Sequence, residues 1–317
     1  MKYKLIKGIF SKKGDRIRRM KNGKDQKIRI RIRTEDIMLA PSIIVLIAVS
    51  IFPTIYLLYA TFFNYMGSVD KPVYIGLENW IKIFKDMEVF NSWKVTLIYA
   101  FVSLTLETII GVGIAVLLYT IPKARNIFLT LWMLPIFVAP IVTGLLGRFM
   151  LNSSYGLYAY LLNLIGIKRD LLGSTGSALL CVILMDVWEW TPLITIVVLA
   201  GLEAMPTAPL ESAEVEGATY LQKVWYVMLP LASRSISVAL LIRAMDVMRF
   251  FDAIFMSTAG GPADTTKIIG LRLYEVAFRF GDIGYAAVIG ISMLIVTTLL
   301  GRIFVKLWYS GGGEYSA

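Results

Sequence analysis

Charged side chains inside long apolar runs are the residues here that could do chemistry. Arg243, Asp246, Arg249 and Asp252 form a ladder with a step of three. Side chains three apart on a helix are neighbours, so opposite charges can pair along it. Over that length a helix turns by about half a circle, so the four cannot all face one wall of a pore. Two readings stay open: the ladder holds its helix against neighbours, or Arg249 and Asp252 meet a solute near mid-membrane. A second group is Asp186, Trp188, Glu189 and Trp190, just before Thr191 and Pro192. A carboxylate beside an indole suits a sugar, whose hydroxyls bond to the acid while its CH faces lie on the ring. The plain alternative is an aromatic belt with a charge near the outer boundary. Glu107 is a lone acid expected to pair with Arg148 or Arg243. An ionisable group at the bilayer centre costs about 2.5–3.5 kcal/mol, so each of these needs a reason.

Several chemistries are excluded. The 317 residues contain no histidine, which removes histidine metal sites and histidine general bases. No G-x-x-x-x-G-K-[ST] phosphate loop occurs, so the chain is not expected to hydrolyse ATP. Cys181 is the sole cysteine and rules out an intrachain disulfide.

The elements that must position these residues are helices in a membrane. The chain is 57% hydrophobic and only 17% charged, with a mean hydropathy of +0.69. Crossing the hydrocarbon takes about 20 mostly apolar residues. Six windows meet that length: 38–63, 95–119, 127–150, 178–200, 236–256 and 285–308. No alternating ten-residue pattern suggests a barrel. The fold class is therefore all-α membrane protein. Pro192 is expected to break the fourth span and open a cavity there.

Residues 1–33 hold fourteen lysines and arginines against Asp15 and Asp25. This basic tail, 1–36, reads as a cytoplasmic topology signal and an anionic-lipid anchor, not a nucleic-acid surface. Loops near 64–94, 151–177 and 257–284 then lie outside. Those near 120–126 and 201–235 lie inside, as does a short tail at 311–317. In the outer loops, 75–84 and 152–167 read as short interfacial helices, and Gly260, Gly261 and Pro262 force a backbone break.

The inner segment 211–230, "ESAEVEGATYLQKVWYVMLP", is too polar to cross and too patterned for a casual loop. Residues 207–216 read as one short helix, Gly217 as a turn, and 219–228 as a second helix that Pro230 should stop. Such an elbow suits docking into a groove on a partner.

The run Glu211-x-Ala213, three residues, Gly217, nine residues, Val227-x-Leu229-Pro230 resembles the EAA loop of ABC importer permeases. It departs from that motif at Ser212, Val227 and Glu216. Further similarity to carbohydrate-importer permeases of the maltose-transporter type lies in "WEWTPLITIVVLAGLEAMP", in the Phe251-Asp252 pair, and in "GGP" with Thr265. The resemblance covers about residues 37–308.

It implies a transmembrane domain over 37–310 with the coupling helix-turn-helix at 207–232, between spans 4 and 5. Glu211, Ala213, Glu216, Gly217, Ala218, Leu229 and Pro230 would touch the ATPase. Asp186, Trp188, Glu189, Arg249, Phe251 and Asp252 would line the substrate path. Implied partners are a second permease in a heterodimer, two ATPase subunits, an extracytoplasmic sugar-binding protein and membrane lipid. No cofactor belongs to the chain itself, because ATP and Mg sit on the ATPases. The implied place is a prokaryotic plasma membrane, with both termini cytoplasmic. Within the same class, a permease for a polyol phosphate would use Arg243 and Arg249 as an anion clamp. A self-powered secondary transporter would need internal repeats, which are not visible. A membrane enzyme acting on lipid-linked sugar would need base chemistry that the chain lacks.

Overall fold

A computed structural model describes residues 34–67, 71–121, 125–166 and 170–309. Most of the basic tail (1–33), the 311–317 tail, Lys123, Lys168 and Arg169 lie outside the described residues. Residues 34–36, expected in the tail, already belong to the first helix.

The chain divides into two compact units at Ile55. The first contains α1 (Thr34–Leu46) and a π-helical turn, Ile47–Ile51; the division falls within α2 (Phe52–Ala60). The second unit holds α3 (Glu78–Ile83), α4 (Met87–Thr120), α5 (Arg125–Trp132), α6 (Pro140–Met150), α7 (Leu157–Leu164) and α8 (Ala178–Glu203). It continues with α9 (Ala208–Val215), α10 (Tyr220–Lys223), α11 (Leu229–Val247), α12 (Asp252–Ser257), α13 (Ile269–Tyr274) and α14 (Ile283–Tyr309). A two-stranded ribbon pairs Phe63 with Tyr74 and Asn64 with Val73.

Among the described residues, five helices are long and apolar enough to cross a bilayer: Met38–Ala60, Met87–Thr120, Ala178–Glu203, Tyr220–Val247 and Ile283–Lys306. The expected third span, 127–150, is not one helix. Pro135 and Pro140 divide it into α5, a 3-10 turn at Leu134–Phe137 and α6, because neither proline can donate the bond that would carry a helix through it. The expected fifth span, 236–256, is also interrupted: α11 ends at Val247, and α12 starts afresh at Asp252.

Two proline expectations are overturned. Pro230 does not stop a helix. The wide π-turn Val224–Met228 precedes it, and the path runs straight on into α11. The extra residue in a π-turn moves the carbonyl that a proline ring would strike. The same device stands before Pro53, at Ile47–Ile51. Pro192 does not break α8, which is continuous from Ala178 to Glu203. Beside it, the Thr191 hydroxyl donates to the Val187 carbonyl at 2.5 Å.

α8 is the hub of the second unit: 67% of its most apolar window is inside the protein. It packs along α4 and α11, burying Val182, Ile183, Val187, Ile194 and Val198. α6 lies against α12 through Gly144, where an added Cβ would sit 2.7 Å from the Ala253 Cα. Small residues that let backbones meet are the usual means of holding helices together in lipid. α4 starts at Asp86, whose carboxylate accepts from the backbone N–H groups of Glu88 (2.9 Å) and Val89 (3.3 Å). This is an ordinary acidic N-cap.

Candidate functional site

Three polar arrangements stand out: a buried charge centre, an ionic network around Asp86 and Arg272, and the elbow. The buried centre grows from Arg243 on α11, which is fully buried. Its Nε and Nη2 donate to Glu107 of α4 at 2.8 and 2.7 Å. Nη2 also donates to both carboxylate oxygens of Asp186 on α8, each at 2.9 Å. Nη1 donates to Asp246 at 2.9 Å. The Trp190 ring lies 5.1 Å from the guanidinium carbon, within cation–π range. One guanidinium thus ties three helices together, and Arg243 is the partner of Glu107. The expected anion clamp fails at this residue, because carboxylates already occupy its donors.

The ladder holds for two rungs and then ends. Arg249 reaches Asp246 at 3.7 Å, but its side chain is 69% exposed. Asp252 belongs to the next helix and makes no ion pair among the described residues. The break at residues 248–251 is the cause, because the step-of-three rule applies only along one continuous helix.

The six path candidates therefore do not converge. Asp186 is held in the charge centre. Trp188 is 50% exposed, on another face of α8. Phe251 stacks on Phe255 with ring centroids 5.2 Å apart and meets Tyr274 at 5.4 Å, so it packs an aromatic cluster. Arg249 borders an apolar groove of about 780 Å³ between α11 and α14. Asp252 is exposed. Glu189 is fully buried, and neither of its carboxylate oxygens has a hydrogen-bond partner among the described residues.

The network around Asp86 and Arg272 has no counterpart among the sequence expectations. Arg272 of α13 pairs with Glu88 at 2.5 Å and with Asp86 at 3.5 Å. The Tyr285 hydroxyl of α14 donates to Asp86 at 2.7 Å. Lys267 bridges Asp264 (2.7 Å) and Glu275 (3.1 Å). Burial alone would raise the Asp86 carboxyl; the Tyr285 hydroxyl, the two backbone amides and Arg272 outweigh it and hold the group below the usual carboxylate range. Burial would lower Lys267, yet Asp264 and Glu275 hold it above the ordinary ammonium value. Only Asp86, as an acid directly before a long apolar helix, carried a readable signal. The expected backbone break lies beside this network, with Ala259, Gly260, Ala263 and Asp264 all in the left-handed region.

The elbow is built as its residue types require. α9 ends at Val215, and Gly217 takes φ +80°. Its N–H donates to the Glu214 carbonyl (3.0 Å), and that of Ala218 to the Ala213 carbonyl (2.9 Å). Glycine adopts this conformation without steric cost. Thr219 and Gln222 then form a capping box that starts α10. Lys223 closes the angle by pairing with Glu214 at 2.6 Å. Val215, Leu221, Trp225 and Tyr226 remain exposed, between 66% and 90%. Glu211 and Glu216 are exposed, while Ala213, Ala218 and Leu229 are half-buried.

Comparison with known proteins follows the same lines. The sequence model of the family described as "Binding-protein-dependent transport system inner membrane component" matches residues 122–309. The trehalose/maltose transport system permease protein MalF of Thermococcus litoralis is 29% identical over 272 residues, 86% of this chain and 92% of that protein. A probable ABC transporter permease protein, y4oQ of Sinorhizobium fredii, is 32% identical over 282 residues, 88% of this chain and 91% of that one. A chain in the crystal structure of a bacterial alginate ABC transporter, complexed with an alginate pentasaccharide-bound periplasmic protein, superposes with a TM-score of 0.76 at 23% identity. That match covers 85% of this chain and 92% of the other.

Proposed function

Because the chain belongs to the family of binding-protein-dependent transport system inner membrane components, we propose that it forms half of a membrane path for a sugar or oligosaccharide. It is a permease subunit of an ABC importer, a transport component and not itself an enzyme. The self-powered secondary transporter is thereby set aside. The sugar assignment follows the relative that is named for trehalose and maltose. A second permease, different from this one, completes the path. Two ATPase subunits bind ATP and Mg on the cytoplasmic side, and a binding protein delivers solute from outside. Both termini lie inside.

The observation that carries the coupling role is the bent elbow. A positive-φ glycine between two capped helices presents Val215, Leu221, Trp225 and Tyr226 outward, with Glu211 and Glu216 beside them. Exposed apolar side chains on a polar turn are what a partner groove receives. Glu211, Ala213, Glu216, Gly217 and Ala218 face the ATPase; Leu229 and Pro230 carry its movement into α11. A cysteine at Ala213, in a Cys181→Ser background, is expected to crosslink to the ATPase in native membranes. Crosslinking only to lipid-facing or external reagents would refute the coupling role.

A further inference from the structure

Two fully buried acids share one cation where α4, α8 and α11 meet. Glu107, Asp186 and Arg243 are each 0% exposed. Arg243 Nη2 lies 2.7 Å from Glu107 Oε1 and 2.9 Å from both carboxylate oxygens of Asp186. The two carboxyls thus converge on a single nitrogen, and they act on each other as hydrogen-bonding groups. An ionised carboxyl only accepts, so two carboxylates cannot bond to one another; a protonated one can donate.

The surrounding groups do not make up the missing charge. Asp246 of α11 is 38% exposed and draws on both Arg243, at 2.9 Å, and Arg249, at 3.7 Å. Along α8, Glu189 is a further buried acid, met by the Thr143 hydroxyl of α6, and Trp190 offers Arg243 a ring face. From α4 come hydroxyls: Tyr99 and Ser103, both 0% exposed, act on Asp186. Among the described residues no other cation pairs with Glu107 or Asp186. A partner subunit docking on the surface cannot supply one, since none of the three side chains reaches the surface. Fully ionised, the pair would seal an uncompensated negative charge in the core, and a group so placed neutralises instead.

We propose that Glu107 and Asp186 together bind one proton, held between their carboxyls beside Arg243, so that the junction of α4, α8 and α11 is neutral as folded. The proton is a structural ligand of the chain. With it bound, one acid donates to the other and Arg243 balances the charge that remains. Without it, two adjacent anions would face one guanidinium. Two carboxyls that share a site in this way titrate as a pair, and the proton belongs to both.

Infrared spectroscopy of the full-length chain in lipid at neutral pH reads the proton directly. The unaltered chain is expected to show the carbonyl band of a protonated carboxyl. Glu107→Gln and Asp186→Asn should each abolish that band, because either change leaves a single acid that ionises against Arg243. A protonated Glu189 would give a band that survives both changes. Each change also puts a neutral amide of the same shape where the proton was held, so the thermal midpoint of either single variant is expected to stay within about 2 °C. The double variant leaves Arg243 with Asp246 alone and should lose at least about 6 °C. The inference is overturned if neither change removes a band, if only one of them does, or if each single variant loses as much as the double.

Discussion

Replacing Gly217 isolates one physical quantity, the left-handed backbone of the elbow. Gly217 has φ +80°, and no heavy atom lies within 4 Å of where a Cβ would be. Substitution therefore meets open space, and its whole cost is conformational. An L-residue in this region is disfavoured by roughly 1–2 kcal/mol, more for a β-branched side chain and less for asparagine. The Lys223–Glu214 pair cannot hold the bend by itself, because Glu214 is 63% exposed and such pairs contribute about 0–1 kcal/mol. At 1.4 kcal/mol per tenfold, Gly217→Val should weaken ATPase docking by about 5–30-fold. Gly217→Asn should lose at most a few-fold, since asparagine visits the same region. The assay titrates purified ATPase onto permease in nanodiscs and measures solute moved per ATP hydrolysed. Membrane insertion should not change in either variant. If valine docks as tightly as glycine, or asparagine as weakly as valine, the bend is not what the partner reads.

Two further perturbations address the other polar arrangements. Arg243→Met leaves Glu107 and Asp186 buried without their cation, and breaking a buried pair from one side costs about 3–5 kcal/mol. A large fall in thermal midpoint is expected, largely restored when both acids are also replaced by apolar residues; no recovery in the triple variant would show that the centre does more than neutralise itself. Asp86 is held below its ordinary range, so its contribution to stability is complete above the unfolded carboxyl value and is lost as pH falls through the lower folded value. Asp86→Asn should therefore lower the midpoint at pH 6 and flatten its decline below about pH 4; an unchanged slope would mean that Tyr285 and Arg272 do not act through this carboxylate.

What the sequence could and could not disclose follows from the range of each interaction. The elbow is legible because its signals are local: an acidic start and one glycine between two short helical stretches. Proline departs from expectation at Pro230 and Pro192 because a side-chain pattern reports neither the π-turn before Pro230 nor the continuity of α8 through Pro192. The third span departs the other way: apolar length over 127–150 predicts one helix, and Pro135 and Pro140 divide it. The charges split by distance. For the lone acid Glu107 the sequence predicts a cation on another helix, Arg148 or Arg243, and the structure selects Arg243, 136 residues away. The same reasoning applied to Glu189 would also demand a cation, and none pairs with it among the described residues. Arg243 can satisfy only as many acids as it has donors. The acid left over is the one on the face of α8 that α6 covers. Which acid remains unpaired depends on how α4, α8 and α11 are rotated about their axes. That rotation is set by packing at positions such as Gly111 and Ile194, where an added Cβ would lie 2.9 Å from the isoleucine. Altering that contact should redistribute the pairing, with Gly111→Ala turning α8 enough to change the exposure of Glu189 while leaving its chemistry intact.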